Sequence, residues 1–300
     1  METTISTVID HGLSEADIRT KYITPAIVRA GWDPITQLRE EYRMTAGRVT
    51  VRGRIARRSA AKRADYVLFI KPGIPIAIVE AKDNTHPVGA GMEQAMDYAR
   101  LLDVPFVYSS NGDAFLERDL AGTVGSAMAP RTDTGSTPAP TPAAGTPATI
   151  TTAPVEREIP LTAFPSPQEL WNRWKGLTAV TPEQEQLVLQ DYYADGSGKA
   201  PRYYQLTAIN RTLAAVARGQ RRLLLVMATG TGKTFTAFQI IYRLWKSRTA
   251  KRILFLADRD ALINQTRNND FRPFGDVMTR ITNRAVDTSY EVYLSLYQAI

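Results

Sequence analysis

The 300-residue chain is 44% hydrophobic and 22% charged, the balance of a soluble globular protein, and its length suits two domains. It has no cysteine and only two histidines, His11 and His86, which excludes disulfides, thiolate zinc, a cysteine nucleophile and a histidine-rich metal site, and fits a reducing cytoplasm. The net charge of +7 lies wholly in the second part: residues 1–121 carry 16 basic and 16 acidic side chains, residues 122–300 carry 21 and 14. Such an excess favours phosphate backbones only weakly. The N-terminus lacks the basic start and apolar stretch of a secretion signal, and no apolar run is long enough to span a bilayer. A cytoplasmic protein without membrane contact is expected.

In chain order, Ser14 with Asp17 three residues on marks a helix start. Ile18, Tyr22, Ile23, Ala26 and Ile27 then recur at helical spacing up to Gly31. Arg48, Arg52, Arg54, Arg57, Arg58, Lys62 and Arg63 form a basic run with no intervening acid, equally a solvated loop or a nucleic-acid contact. Tyr66–Ile70 and Ile74–Val79 flank Lys71-Pro72-Gly73, turn chemistry that predicts a β-hairpin. A helix at about 91–102 and a strand over Val104–Ser109 complete a small α/β domain, residues 1–121.

Residues 122–154 hold only two charges, Arg131 and Asp133, among many Pro, Thr, Ala and Gly. That composition predicts a mobile linker. Beyond it, Ser166-Pro167-Gln168-Glu169 spells a capping box with Pro at the first helical position. A helix over Tyr204–Ala217, a buried strand over Leu223–Met227, a helix over Thr234–Trp245 and a buried strand over Ile253–Ala257 then read as the βαβ unit of a parallel sheet. This second domain is assigned residues 155–300.

Met227-Ala-Thr-Gly-Thr-Gly-Lys-Thr234 stands between that first strand and its helix. Thr229, Gly230, Thr231 and Gly232 turn backbone N–H groups toward an anion, Lys233 reaches the β- and γ-phosphates of ATP, and the Thr234 hydroxyl ligates Mg²⁺. Met227 replaces the first Gly of the general pattern, a position that touches no phosphate. In the first domain, Asp65, Glu80 and Lys82 form a second constellation. With Pro72-Gly73 as the central turn residues, Asp65 lies opposite Glu80, β-carbons about 5 Å apart, and Lys82 follows on the same face about 6–7 Å along. Two carboxylates that share Mg²⁺ and an ammonium beside them suit phosphodiester hydrolysis. Strand-end charges paired with a lysine account equally well for the same spacing, and a one-residue slip would separate the acids.

Family resemblance bears on both sites. ATGTGKT resembles superfamily 2 helicases and translocases, as do Pro201-Arg-Tyr-Tyr-Gln205, where such motors place an adenine-reading glutamine, and the segment Leu254–Gln265. Asp258 has a rival reading as the Mg²⁺ carboxylate, but these motors carry that acid in a later D-E-x-[DH] box. No such box occurs before Ile300, so efficient ATP hydrolysis by this chain alone is not expected. The first domain resembles the restriction-endonuclease-like fold with its D…[DE]-x-K site. Gln94 and Tyr98, one helical turn apart, match the Q-x-x-x-Y element that accompanies it in type I and RecB-like nucleases. Glu15 stands where RecB-like sites have an additional acid.

Ser14–Asp33, Arg39-Glu-Glu41, Lys62–Tyr66 and Phe164–Trp171 resemble the R (motor and endonuclease) subunits of type I restriction enzymes. The resemblance implies a restriction-endonuclease-like nuclease domain plus part of a RecA-like P-loop domain. It further implies ATP-dependent translocation and Mg²⁺-dependent cleavage of double-stranded DNA, in complex with methylation (M) and specificity (S) subunits. Two other readings stay open: a different nuclease–helicase fusion, type III-like or of DNA repair, and a non-catalytic DNA-binding or assembly module.

Overall fold

The computed structural model describes residues 12–44, 49–52, 55–58, 62–120, 155–178, 180–198, 200–282 and 285–299. Two compact units separate: residues up to Ile70 together with Pro75–Ala179, and Lys71–Ile74 together with Val180 onward.

The first unit opens as the sequence pattern requires. The Asp17 backbone N–H donates to Ser14 Oγ (3.2 Å) and caps α1 (Glu15–Ile18). A π turn (Arg19–Ile23) and α2 (Thr24–Arg29) continue the helix, with Ile18, Ile23, Ala26 and Ile27 buried. The strands β1 (Leu38–Arg43), β4 (Arg63–Lys71), β5 (Ile74–Ala81), β6 (Phe106–Ser110), β7 (Ala114–Asp119) and β8 (Val155–Pro160) form one sheet in the order β1-β4-β5-β6-β7-β8. Only β5 and β6 are parallel, and parallel neighbours need a crossover, which α3 (Met92–Leu102) supplies. β4 and β5 are buried over most of their length, hence their near-continuous apolar spelling. Of the basic run, Arg52, Arg57 and Arg58 fall on a separate ribbon of β2 (Val49–Arg52) and β3 (Ile55–Arg58), and Lys62 and Arg63 stand at the start of β4. The run's Arg48 and Arg54 lie outside the described residues.

Two expectations change here. Residues 122–154, the expected linker, lie outside the described residues, but their flanks are strand partners: Asp119 faces Val155 in the β7–β8 pair. The segment thus joins two strands of one unit, and residues 155–178 belong with the first unit instead of opening the second. The physical reason is Glu117, 1% exposed on β7. Its carboxylate accepts two bonds from Arg173 (2.9 Å each) of α4 (Pro167–Thr178), one from Arg157 Nε of β8 (2.7 Å) and one from Tyr108 Oη (2.6 Å). Phe164 packs on the rings of Tyr108 and Phe115, 4.9 and 4.6 Å between centroids, and the Trp32 indole donates to the Pro165 carbonyl (2.9 Å). A charge this deep needs those cations, and a capping box shows where α4 begins, not where it docks.

The second unit holds α5 (Pro182–Val188), α6 (Tyr203–Ala217), α7 (Lys233–Lys246), β9 (Ile253–Ala257), α8 (Asp260–Asn268), β10 (Met278–Arg280) and β11 (Val292–Leu296). The three strands make a parallel sheet in the order β10-β11-β9, covered by Phe238, Ile263, Phe271 and Phe274. Arg243 of α7 is fully buried and donates to Asn210 Oδ1 (2.9 Å) and the Val188 carbonyl (2.7 Å), tying α5, α6 and α7 together. The expected strand Leu223–Met227 is not one: residues 221–228 carry no regular structure, and Leu224 and Val226 are 86% and 88% exposed. A parallel strand exists only through its ladder partners, and this apolar run has none among the described residues.

Arg173→Ala leaves Glu117 buried with one cation fewer. It should cost about 2–4 kcal/mol in denaturant unfolding; a loss below about 0.5 kcal/mol would show the cluster to be idle. Burial raises the Glu117 carboxyl, but its bonds to Arg173, Arg157 and Tyr108 outweigh that and hold it below its usual range. The stabilisation is therefore full above the ordinary glutamate pKa, and acid removes it only as pH falls through the lowered native value.

Candidate active site

Asp65 on β4 and Glu80 on β5 both point into the first unit at 7% and 1% exposure. The hairpin that brings them together turns at Pro72-Gly73, with Gly73 at φ +85°. Asp65 Oδ2 accepts the backbone N–H of Ala81 (2.8 Å), the residue after Glu80. Lys82 Nζ stands 3.6 Å from Glu80 Oε1 and 3.9 Å from Glu15 Oε2. The Gln94 amide donates both to Glu80 Oε1 and to Tyr98 Oη (3.1 Å). The structure therefore gathers all five residues expected there, and Glu15 besides.

Burial and the adjacent Asp65 charge push the Glu80 carboxyl up to about 8, only partly opposed by Lys82. Asp65 and Glu15 are raised by the same burial. Glu80 Oε2 is buried without a hydrogen-bond partner. An orphaned oxygen on a buried acid, beside a second acid, fits a cation: a hard divalent ion would take Asp65 and Glu80 with solvent filling its remaining positions. Among the described residues no group of three or more His, Asp or Glu side chains is arranged around a single ion, so the protein's own share would be these two carboxylates.

Sequence reasoning missed several contributors. Gly91 precedes α3, and a β-carbon there would lie 3.0 Å from Glu80 Cγ and 3.0 Å from Ser109 Oγ, so any larger residue would have to press the two side chains aside. Its N–H donates to Ser109 Oγ (3.0 Å). A glycine before a helix is a visible signal, but not one that names its neighbour. Arg19 lies 3.8 Å from Asp65 Oδ1 and also pairs with Glu40 and Glu41, and nothing in the helical pattern singles it out.

In the second unit the loop before α7 has Gly230 and Gly232 in the left-handed region, φ +78° and +84°. With Thr229, Lys233 and Thr234 they line a pocket of about 790 Å³. Lys233 Nζ lies 3.4 Å from the Met227 and Ala228 carbonyls. Thr231 Oγ1 donates to the Ala228 carbonyl (2.6 Å), folding the loop on itself. Asp258, the rival Mg²⁺ carboxylate, lines the same pocket. Gln205 is buried with both ends of its amide engaged: Oε1 accepts the Arg202 N–H (2.9 Å) and Nε2 donates to the Thr231 carbonyl (2.8 Å). Its side chain also touches Gly232, where a β-carbon would collide with it. Gln205 thus braces the loop, and reading a base requires it to exchange one of those bonds.

A restriction-endonuclease-like α/β unit followed by a P-loop unit on a parallel sheet is the class these features define. Residues 12–118 match the family model of the type I restriction enzyme R protein N terminus, and residues 198–300 that of the type III restriction enzyme res subunit. The chain is 53% identical to the type I restriction enzyme EcoAI endonuclease subunit of Escherichia coli over 96% of its own length and 32% of that protein. It is 31% identical to the EcoKI endonuclease subunit of E. coli strain K12 over 79% of its own length and 22% of that protein. A solved fragment of an HsdR subunit of a type I restriction enzyme from Vibrio vulnificus YJ016 superposes with a TM-score of 0.73 at 37% identity, covering 96% of this chain and 48% of that one. The chain is similar over nearly its whole length to the N-terminal regions of type I restriction enzyme R subunits, and spans about a third of the EcoAI subunit.

The raised Glu80 has a measurable consequence in metal-free buffer. Between about 4.5 and 8 the folded protein holds a proton that the unfolded chain has lost, so this residue makes stability fall as pH rises through that window. Glu80→Gln removes the penalty. Its melting temperature in EDTA should exceed that of the unsubstituted protein by several degrees at pH 8.5 and match it near pH 4.5; a lower value at pH 8.5 contradicts the assignment.

Proposed function

We propose that the chain forms the nuclease domain and the first part of the ATP-driven motor of a type I restriction subunit, cutting double-stranded DNA by Mg²⁺-dependent hydrolysis. The observation that carries the reading is the buried pair Asp65–Glu80, with an unpartnered carboxylate oxygen and Lys82 alongside. Asp65 and Glu80 would hold Mg²⁺, which when bound supplies positive charge to the phosphate and a water of lowered pKa. Gln94, itself bonded to Tyr98 Oη, fixes the Glu80 carboxylate from one side. Lys82 orients the attacking water and stabilises charge that develops on the phosphate. A bond forms from the water oxygen to phosphorus, the bond to one sugar oxygen breaks, and that oxygen takes up a proton.

Lys233, Thr234 and the 229–232 backbone would hold Mg²⁺–ATP, with Gln205 keeping the loop in shape. By likeness to type I R subunits, the partners are double-stranded DNA and the M and S subunits. The place of action is the cytoplasm, which the cysteine-free composition supports; among the described residues no helix is long and apolar enough to cross a membrane. A second reading, another nuclease–motor fusion, draws on the type III res-subunit match over residues 198–300. The R-protein match over residues 12–118 and the EcoAI and EcoKI relatives favour type I.

In the full-length subunit assembled with its partners, Lys82→Ala should reduce plasmid cutting about 100-fold or more while leaving DNA-stimulated ATPase intact. Lys233→Ala should remove ATPase and cutting together. Undiminished cutting by the Lys82 variant would refute the nuclease assignment, and undiminished ATPase by the Lys233 variant the assignment of the P-loop.

A further inference from the structure

Three described non-glycine residues have φ in the left-handed region. Asp103 and Arg248 stand just past the ends of α3 and α7, where such a turn closes a helix. Glu41, at φ +52°, stands inside β1, where no helix end calls for it. In the β1–β4 register Glu40 faces Tyr66 and Tyr42 faces Ala64, which leaves Glu41 level with Asp65. Its carboxylate contacts the Arg19 guanidinium and accepts from Arg63 Nε at 2.6 Å. Arg19, 13% exposed, opens the π turn between α1 and α2, and π turns concentrate at functional sites. Its Nη2 pairs with Glu40 Oε2 (3.1 Å), its Nη1 lies 3.8 Å from Asp65 Oδ1, and its guanidinium covers the Tyr66 ring at 5.3 Å. Arg19 Nε is buried without a partner.

We propose that Arg19 and Glu41 are a positioning pair that sets the Asp65 carboxylate for the metal. Asp65 is approached from two sides: Oδ2 accepts the Ala81 N–H, and Oδ1 faces at 3.8 Å the charge of Arg19, which Glu41 and Glu40 hold in place. Partly exposed ion pairs add little to stability, so they do not offset a left-handed glutamate and an orphaned guanidinium nitrogen. Strain of that kind persists where a geometry is needed. The Arg19 charge is shared with Glu40 and Glu41, so it opposes an incoming cation less than it steadies the carboxylate that must receive it.

The inference rests on the reading of Asp65 and Glu80 as the metal-holding pair. In the full-length subunit, melting temperature is followed against Mg²⁺ and Mn²⁺ concentration, alongside plasmid cutting by the assembled complex. Arg19→Ala and Glu41→Gln should raise the metal concentration for half of the metal-induced shift at least threefold. The metal needed for half-maximal cutting should rise equally, with the rate at saturating metal little changed, and Arg19→Lys should recover part of the loss. Glu41→Gly relieves the backbone, so it should melt no lower than Glu41→Gln without metal and still show the raised requirement, which keeps the test open if Arg19→Ala does not fold. A metal requirement equal to that of the unsubstituted protein in Glu41→Gln and Glu41→Gly overturns the inference. Asp65→Asn is the control: if it keeps both the metal shift and cutting, the reading of the site fails instead.

Discussion

Two glutamates are buried to 1% exposure on the same sheet, Glu80 on β5 and Glu117 on β7, and the contrast between them organises the first unit. Taking a carboxylate out of water costs several kcal/mol unless hydrogen bonds and opposite charge replace the lost solvation. Around Glu117 the replacement is complete: two arginines and a tyrosine hydroxyl occupy both oxygens, and the carboxyl stays below its ordinary range. Glu80 has an amide and a lysine on one oxygen, nothing on the other, and a second acid alongside, so its carboxyl is driven up to about 8. The same residue type at the same depth is fully satisfied in one place and left short of partners in the other, and the proposed metal site lies where it is left short.

The scaffold follows from these two demands. Satisfying Glu117 requires Arg157 and Arg173, which come from chain beyond residue 154, so β8 and α4 must return to the first unit before the chain departs for the second. Keeping Glu80 short of partners while holding it still requires the close start of α3 at Gly91 and the amide of Gln94 one turn later. The P-loop shows a milder form of the same economy. Gln205 caps α6 and braces Thr231 with a single amide, and the left-handed Gly232 leaves room for it.

Local rules read much of this from the sequence alone. The Ser14 cap, the Pro72-Gly73 turn, the Ser166 box and the β9 strand sit where spacing placed them, because each depends on residues within one turn of chain. Asp65, Glu80 and Lys82 come together because a two-residue turn carries their register a short distance, whereas only family resemblance links Gln94 and Tyr98 to them, since a helical repeat does not say which strand its face meets. Errors arose where partners lie far away in sequence. The Leu223–Met227 run has strand composition but no ladder among the described residues, and order along the chain places the segment after residue 154 in the second unit whereas a buried charge holds it in the first. Arg19 and Glu41 were illegible for another reason: a left-handed glutamate and a π turn are compromises of the whole fold that no local preference announces.

The Asp65–Glu80 pair, with Glu80 Oε2 left without a partner, is proposed to hold a metal ion. Anomalous diffraction from crystals of the protein soaked in Mn²⁺ tests it most directly. One strong peak is expected within bonding distance of a carboxylate oxygen of each residue, absent from Glu80→Gln crystals. A peak that avoids both carboxylates, or persists in the variant, would contradict that assignment.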